Sequence, residues 1–165
     1  MNLQSVFDWL QSWPISEGIR QSSWMFPAFE SVHVIAITLV VGSVMIVDLR
    51  VLGLTTTRKS VSELSWEVLP WTWGLFLIAL ISGAFMFAAK ANAYFTDTPF
   101  RLKMLLMAAA GLNMFFFHFV PLKTIHRWDR DVQAPAIAKL SCGLSLAFWV
   151  LVVTMGRWIG FTIQG

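Results

Sequence analysis

One segment, from Trp24 to Arg50, constrains this chain more than any other. It carries no Asp, Glu, Lys or Arg between Glu30 and Asp48, and Val, Ile and Leu predominate in it. A helix needs about 20 apolar residues to cross the ~30 Å hydrocarbon core of a bilayer, and this segment is long enough. Only 13% of the 165 residues are charged, against about 25% in soluble domains. We therefore expect an integral membrane protein.

Three further apolar segments have the length of membrane spans. The four spans are predicted at residues 27–49, 71–89, 100–122 and 136–155. The connection at 50–69 is polar, with a predicted surface helix over 60–69, and the stretch before Pro99 is rich in turn-forming residues. The predicted fold class is all-α, an integral membrane four-helix bundle in the lipid bilayer.

Residues 1–23 have the pattern of a short amphipathic helix at the membrane interface. Its apolar residues recur at helical spacing with polar residues between them: Val6, Phe7, Leu10 and Trp13. Pro14 and Ser16 are predicted to end this helix. The chain is thus divided into an interfacial segment, 1–23, and a transmembrane bundle, 24–165.

The distribution of basic residues indicates the orientation of the bundle. Four spans place both termini on one side of the membrane. The opposite side carries the first and third connections, which contain seven basic residues: Arg50, Arg58, Lys59, Lys123, Arg127, Arg130 and Lys139. The side of the termini has five: Arg20, Lys90, Arg101, Lys103 and Arg157. Because cytoplasmic connections carry the excess of Lys and Arg, we expect both termini outside the cytoplasm.

Several classes of function lack their sequence signals. A net charge of +3 without a basic, aromatic-rich run does not fit a nucleic-acid surface. The single cysteine, Cys142, excludes an intrachain disulfide and a cysteine zinc cluster, and is predicted to be a small buried residue. The chain has no HExxH, GxSxG or phosphate-binding loop. Hydrolysis is therefore not indicated.

The first predicted span places its polar residues on one face of the helix. Six residues lie within ~60° of one line on a helical wheel: Glu30, His33, Ile37, Val40, Val44 and Asp48. Because an ionisable side chain at membrane depth is costly, His33 is a candidate functional residue. Asp48 and Arg50 are interpreted as marking the membrane boundary, or as partners of a bound anionic group.

The third predicted span carries a stripe of soft side chains that ends in a histidine. It comprises Lys103, Met104, Met107, Gly111, Met114 and His118. Gly111 leaves room for a flat ligand, although methionine also serves simply to fill a core. His126 lies beyond the stripe, as an interfacial residue or a further ligand. Arg101 and Lys103 are candidate lipid anchors or partners for haem propionates.

His33 and His118 are candidate metal or haem ligands, the alternative being neutral imidazoles bonded to a neighbouring helix. At 1.5 Å per residue their depths differ by ~18 Å. The nitrogens that bind one iron must lie within ~4 Å of each other. The two histidines are therefore predicted to serve separate sites, and Met107 lies roughly level with His33.

Four sequence segments resemble a family of small bacterial inner-membrane proteins: HVIAITLVVGSVMIVDLR, PWTWGLFLIALISGAFMF, FRLKMLLMAAAGLNMFFFH and GRWIG. That family is distantly similar to copper-resistance D membrane proteins and to four-helix membrane cytochromes b. The resemblance implies a bacterial inner-membrane location, with b-type haem or copper as cofactor.

The leading functional hypothesis is a haem b protein, with one or two haems per chain, that exchanges electrons with quinone or another redox partner. If it is an enzyme, it is an oxidoreductase. One alternative is a copper-handling protein that uses His33 and methionine thioethers, because soft ligands select Cu(I). Another is a structural subunit without a cofactor. Small residues that allow close helix contacts lie on several helix faces and predict a homo-oligomer: Ser31, Thr38 and Gly42, and Gly156 and Gly160.

Overall fold

The structure is a computed structural model that describes residues 2–55, 59–129 and 133–163. All regular secondary structure in these residues is helical, which confirms the all-α class. The elements in chain order are α1 (Leu3–Gln11), α2 (Pro14–Gln21), α3 (Met25–Leu52), α4 (Val61–Ala89), α5 (Ala91–Thr96), α6 (Thr98–Phe119), a 3₁₀ helix (Leu122–Arg127) and α7 (Ala136–Ile163).

Four helices, α3, α4, α6 and α7, are long and apolar enough to cross a bilayer. They correspond to the four spans predicted from sequence, although α6 ends three residues before the predicted end of the third span, so the chain is a multi-pass membrane protein. Many of their large apolar side chains face outward, among them Leu105 and Leu112 with exposed fractions of 67% and 72%. In a bilayer this surface lies against lipid, which explains why so little of the chain is charged.

The second transmembrane helix is longer than predicted. The expected surface helix over 60–69 is the first part of α4, which begins at Val61 rather than near residue 71. Ser60 starts it: its hydroxyl accepts a hydrogen bond from the Glu63 N–H, and the Glu63 carboxylate accepts one from the Ser60 N–H. Pro70 lies inside α4 without ending it, because neighbouring groups in a membrane bundle can satisfy the backbone that proline leaves unpaired.

The other helix ends also differ from the predicted spans. The α6 helix begins at Thr98, where the Asp97 carboxylate accepts a hydrogen bond from the Phe100 N–H at 3.0 Å. It ends at Phe119, and Pro121 follows closely, where it has no N–H to continue the helical hydrogen bonds. The α7 helix continues to Ile163 through the Gly-containing GRWIG segment, as glycine is well tolerated in membrane helices.

The N-terminal segment and the link after α4 contain more helix than expected. Pro14 does not simply end the first helix, because it occupies the first turn of α2, where its missing N–H needs no partner. The link predicted to be turn-rich contains α5 (Ala91–Thr96). The side chains of Asp8 and Asn92 share a hydrogen bond of 2.8 Å, so α1 is tied to the link after α4.

The four transmembrane helices pack in the order α4, α3, α7, α6. The central pair, α3 and α7, contact each other, and each packs along its chain neighbour. Within the described residues, α4 and α6 meet only sparsely, so helix packing does not seal that side of the bundle. We call the end with α1, α2 and α5 the cavity end, and the end with the last residues of α3, the first residues of α4 and the 3₁₀ helix the clasp end.

The clasp end is the well-packed part of the bundle. Its core consists of Val51, Val61, Trp128, Ala138 and Cys142. The first residues of α4 are joined to Asp129, whose carbonyl accepts from the Val61 N–H at 3.1 Å. The Asp129 carboxylate also accepts from the backbone N–H of Ser62 at 2.8 Å and from its hydroxyl. Arg58 and Arg130, which contribute to the predicted orientation, lie outside the described residues.

Candidate functional site

A cavity of about 540 Å³ lies at the cavity end, lined by residues of α3, α4, α6 and α7. This volume falls within the range of about 300–1,000 Å³ that is typical of ligand pockets. The lining is mostly apolar and aromatic, and Phe7 of α1 with Tyr94 and Phe95 of α5 contributes to it. The Phe7 ring lies 4.8 Å from the Phe95 ring, centroid to centroid. The interfacial helices therefore form part of the wall of the site.

His33 projects from α3 into this cavity, and its orientation is set by α4. Its Nδ1 lies 2.8 Å from the Ala79 carbonyl oxygen and 3.2 Å from the Ser82 hydroxyl oxygen. A carbonyl only accepts, and the Ser82 hydroxyl donates to the Ile78 carbonyl, so Nδ1 is the nitrogen that carries the hydrogen. In the neutral ring, Nε2 then carries the lone pair. This is the arrangement that metal-binding histidines commonly adopt.

Gly83 on α4 makes room for the His33 ring. A Cβ atom at this position would lie 3.0 Å from Cε1 and 3.3 Å from Nδ1 of His33. Contacts of 3.4–4 Å are ordinary for such an atom, so any larger residue would press on the ring. Gly83 therefore permits the close approach on which both His33 hydrogen bonds depend.

Two lysines and one glutamate give the otherwise apolar cavity its charge. Lys103 lies on the α6 wall, and Lys90 and Glu30 also line the cavity. The Lys90 Nζ lies 4.7 Å from the centroid of the Phe26 ring. No carboxylate in the described ranges forms an ion pair with Lys90 or Lys103. Since an unpaired ammonium is costly in an apolar site, these lysines suit an amphipathic ligand with acidic groups.

The first part of the predicted α6 stripe faces the cavity. Lys103, Met104 and Met107 all line it, in the same chamber as His33. One face of α6 thus presents an ammonium group and two thioethers to the space that His33 also faces.

The second part of the stripe does not reach the cavity. His118 is exposed, and its Nδ1–H donates to the Met114 carbonyl at 3.1 Å. Met114 is 43% exposed, and a Cβ at Gly111 would meet nothing within 4 Å. The physical reason is that the cavity occupies only one end of the bundle, so the stripe continues past it along α6. The structure does not bring His118 and His33 into one site.

The remaining predicted residues lie near the surface. His126 is exposed in the 3₁₀ helix at the clasp end. Arg101 is exposed at the cavity end, where its Nε–H donates to the Phe95 carbonyl at 2.7 Å and its guanidinium lies 5.3 Å from the Phe95 ring centroid. Arg101 therefore contacts α5 from outside the cavity, and it does not line the site.

Tyr94 was not among the predicted site residues. It is buried at 8% exposure, lines the cavity and lies 5.3 Å from the Phe100 ring, centroid to centroid. Burial, with smaller effects from Glu30 and Asp97, raises the pKa of Tyr94 to about 12. The sequence offered one signal for Tyr94, because it is the only tyrosine in the chain. Its hydroxyl adds a polar group to an aromatic wall near the membrane boundary.

The side chains that could bind a metal in the cavity limit the kinds of metal centre that the cavity suits. Among the described residues, no group of three or more His, Cys, Asp or Glu side chains could hold a metal ion. A bare ion bound by such side chains alone is therefore not favoured. A haem iron is different, because the porphyrin supplies most of its ligands and the protein adds only His, Met or a similar axial group.

Comparison with curated proteins and with solved structures found no match. The resemblance to copper-resistance D proteins and cytochromes b is thus not supported by any named relative. Residues 17–162 do match a family model described as "Family of unknown function (DUF6644)". Because this match covers most of the sequence, the chain belongs to that family.

Proposed function

We propose that the chain binds haem b in the cavity and transfers electrons within the membrane. The observation that carries this proposal is the fixed His33 ring, which directs its Nδ1–H to Ala79 and leaves the Nε2 lone pair for a ligand. An imidazole held in this way would be suited to bind the iron of a haem.

The other residues of the cavity fit the remaining parts of a haem. The flat apolar ring suits the aromatic walls, and the thioethers of Met104 and Met107 are candidate second ligands. The ammonium groups of Lys103 and Lys90 suit the propionates. When bound, haem supplies one-electron redox chemistry, and the protein contributes ligation, orientation and exclusion of water.

The sparse contact between α4 and α6 supports a lipid-soluble redox partner. Few residues of α4 and α6 contact each other in the described part of the chain, so we infer that a molecule dissolved in the bilayer reaches the site between these helices. Quinones are apolar and dissolve in the bilayer, so we propose a quinone as the electron donor or acceptor. In this reading the protein is an oxidoreductase or a subunit of one.

The visible spectrum of the purified protein tests this proposal. We expect a Soret band and haem b in the pyridine haemochrome assay. His33→Ala should lose the cavity haem, whereas His126→Ala, which changes an exposed histidine outside the cavity, should retain it. Wild-type haem content in folded His33→Ala protein would show that His33 is not a ligand.

The role of His118 remains a separate prediction. If it binds a second haem nearer the clasp end, His118→Ala should lose about half of the haem and leave the other spectrum unchanged. If His33→Ala and His118→Ala each remove all haem from folded protein, the two-site hypothesis is wrong.

A copper-handling function is the second candidate, because two thioethers share the cavity with His33. Such soft ligands favour Cu(I). Metal analysis after Cu(I) loading separates the two candidates: the copper hypothesis requires bound copper that the double variant Met104→Leu, Met107→Leu no longer retains. A protein with neither haem nor copper would favour the cofactor-free structural role.

We further propose a bacterial inner-membrane location, periplasmic termini and a homo-oligomeric state. The basic bias of the first and third connections supports the orientation. Ser31, Thr38 and Gly42 are exposed on α3, and small residues allow helices of two copies to approach closely. Native mass spectrometry in mild detergent tests the oligomer, and a purely monomeric species would contradict it.

A further inference from the structure

A second buried polar cluster lies at the clasp end, about 15 residues or ~22 Å along α3 from His33. Its centre is Asp48, which is only 7% exposed. Two side chains of α7, Ser145 and Cys142, lie within hydrogen-bonding reach of the Asp48 carboxyl. Asp48 therefore lies inside the bundle, near the clasp end of α3, and its position at the membrane boundary stays a prediction.

The Asp48 carboxyl has an incomplete set of partners. Ser145 and Cys142 can each donate one hydrogen bond to it, yet Oδ2 has no hydrogen-bond partner in the described part of the chain. No Lys or Arg among the described residues forms an ion pair with it. A carboxylate in these surroundings would have an uncompensated charge and a bare oxygen, and both are costly in an apolar interior.

Three charged groups of α3 and α4 at the clasp end have partners other than Asp48. On its own helix, the Arg50 Nε–H donates to the Lys59 carbonyl at 3.0 Å. From α4, the Glu63 carboxylate accepts from the Ser60 N–H and Glu67 pairs with Lys59 at 2.6 Å. From α7, Cys142 is the titratable group that faces Asp48. A proton on the carboxyl removes its charge without requiring any of these groups to move.

We propose that Asp48 is a proton-binding site of the membrane bundle. In the resting protein the carboxyl carries a proton, and it exchanges that proton with water at the clasp end. The distance is short, because α3 ends four residues later at Leu52, about 6 Å along the helix. In this exchange the acid gives its proton to water, which leaves a carboxylate and hydronium, and the carboxylate later regains one proton from water. The site is independent of what the cavity binds.

Dicyclohexylcarbodiimide provides the test, because it enters membranes and reacts with protonated carboxyls in apolar surroundings. The acid proton goes to a carbodiimide nitrogen and the carboxylate oxygen adds to the central carbon. The adduct then rearranges to a stable N-acylurea with no leaving group. Peptide mass spectrometry of the full-length protein in lipid vesicles would locate the modified residue.

We expect one adduct on the peptide that contains Asp48, with a yield that falls as pH rises. Asp48→Asn should lose the adduct, whereas Glu30→Gln, at the other end of the bundle, should retain it. Ser145→Ala should keep the adduct but change its pH profile, because it removes a hydrogen-bond donor from the carboxyl. The proposal would be overturned if Asp48 gave no adduct at any pH at which other carboxyls of the folded protein are labelled.

A second measurement does not depend on reagent access. The infrared spectrum should show the carbonyl stretch of a protonated carboxyl, shifted in heavy water and absent in Asp48→Asn. Because Asn resembles the neutral acid, Asp48→Asn should also keep the wild-type unfolding temperature at neutral pH. A wild-type spectrum without this band, or marked destabilisation of Asp48→Asn beyond that of Asp48→Glu, would show that the carboxyl is ionised.

Discussion

Replacement of Gly83 by alanine should disturb the candidate site without touching any ligand. The new Cβ would lie 3.0 Å from Cε1 of His33, where 3.4–4 Å is ordinary. The ring must therefore retreat by about 0.4 Å or more, away from the helix that holds it. That movement stretches the 2.8 Å bond from Nδ1 to the Ala79 carbonyl and the 3.2 Å contact with Ser82.

The magnitude follows from these two effects. Overpacking of a tight contact costs about 1–3 kcal/mol, and weakening a buried hydrogen bond costs about 0.5–1.5 kcal/mol. The replacement of a helical glycine by alanine stabilises the helix by about 1 kcal/mol. The net destabilisation of Gly83→Ala should be about 2 kcal/mol, which for a chain of this size corresponds to an unfolding temperature lower by about 4–8 °C.

Gly74→Ala is the matched control, because Gly74 lies on the same helix and a Cβ there would meet nothing within 4 Å. Both variants gain the same helix propensity, so their difference isolates the contact with His33. Thermal unfolding in detergent measures the stability difference. Haem titration measures the effect on binding, which we expect to be about 10- to 100-fold weaker in Gly83→Ala, as for other changes beside a metal ligand.

Equal unfolding temperatures for the Gly83 and Gly74 variants would refute the close packing of His33 against α4. A second outcome is that Gly83→Ala is destabilised but binds haem as tightly as the Gly74 variant. It would show that the orientation of the His33 ring does not govern the affinity of the cavity.

Three further predictions concern other parts of the molecule. Ultraviolet titration of the single tyrosinate should give Tyr94 a pKa of about 12 instead of about 10, and Glu30→Gln should lower it. Because the folded pKa is the raised one, the stability from the neutral phenol is complete below about pH 10 and is lost as pH rises through about 12. Ser60→Ala should lower the free energy of unfolding by about 1 kcal/mol in chemical denaturation, since it removes the capping box of α4. With an impermeant thiol reagent, Thr96→Cys should react from the periplasmic side and Lys59→Cys only after the membrane is opened, and the reverse pattern would invert the orientation.

The membrane-spanning architecture was predictable from sequence because it rests on local quantities. Apolar length and the scarcity of charge identified all four spans, although not their ends. The ends depend on specific side-chain bonds, such as the capping box at Ser60, and on the tolerance of proline inside α4. Span length alone does not report either feature.

The candidate site was only partly predictable for a similar reason. The helical wheel placed His33, Lys103 and Met107 on inward faces, and all three line the cavity. The partnership of His33 with Gly83 joins residues on different helices, and it depends on the register of α3 against α4. The helical wheel also placed His118 on the same face as Lys103. A wheel gives only the angular position of a residue, so it does not show where along the bundle the cavity ends.

The bonds between Ser62 and Asp129 have a mechanical consequence. They join the α3–α4 hairpin to the α6–α7 hairpin at the clasp end. At the cavity end the chain itself joins α4 to α6 through α5, and the Phe87 ring of α4 stacks on the Phe100 ring of α6 with 5.6 Å between centroids. The two hairpins are therefore held together at both ends of the bundle, although α4 and α6 contact each other only sparsely in the described residues. Separation of one end alone is resisted by the links at the other.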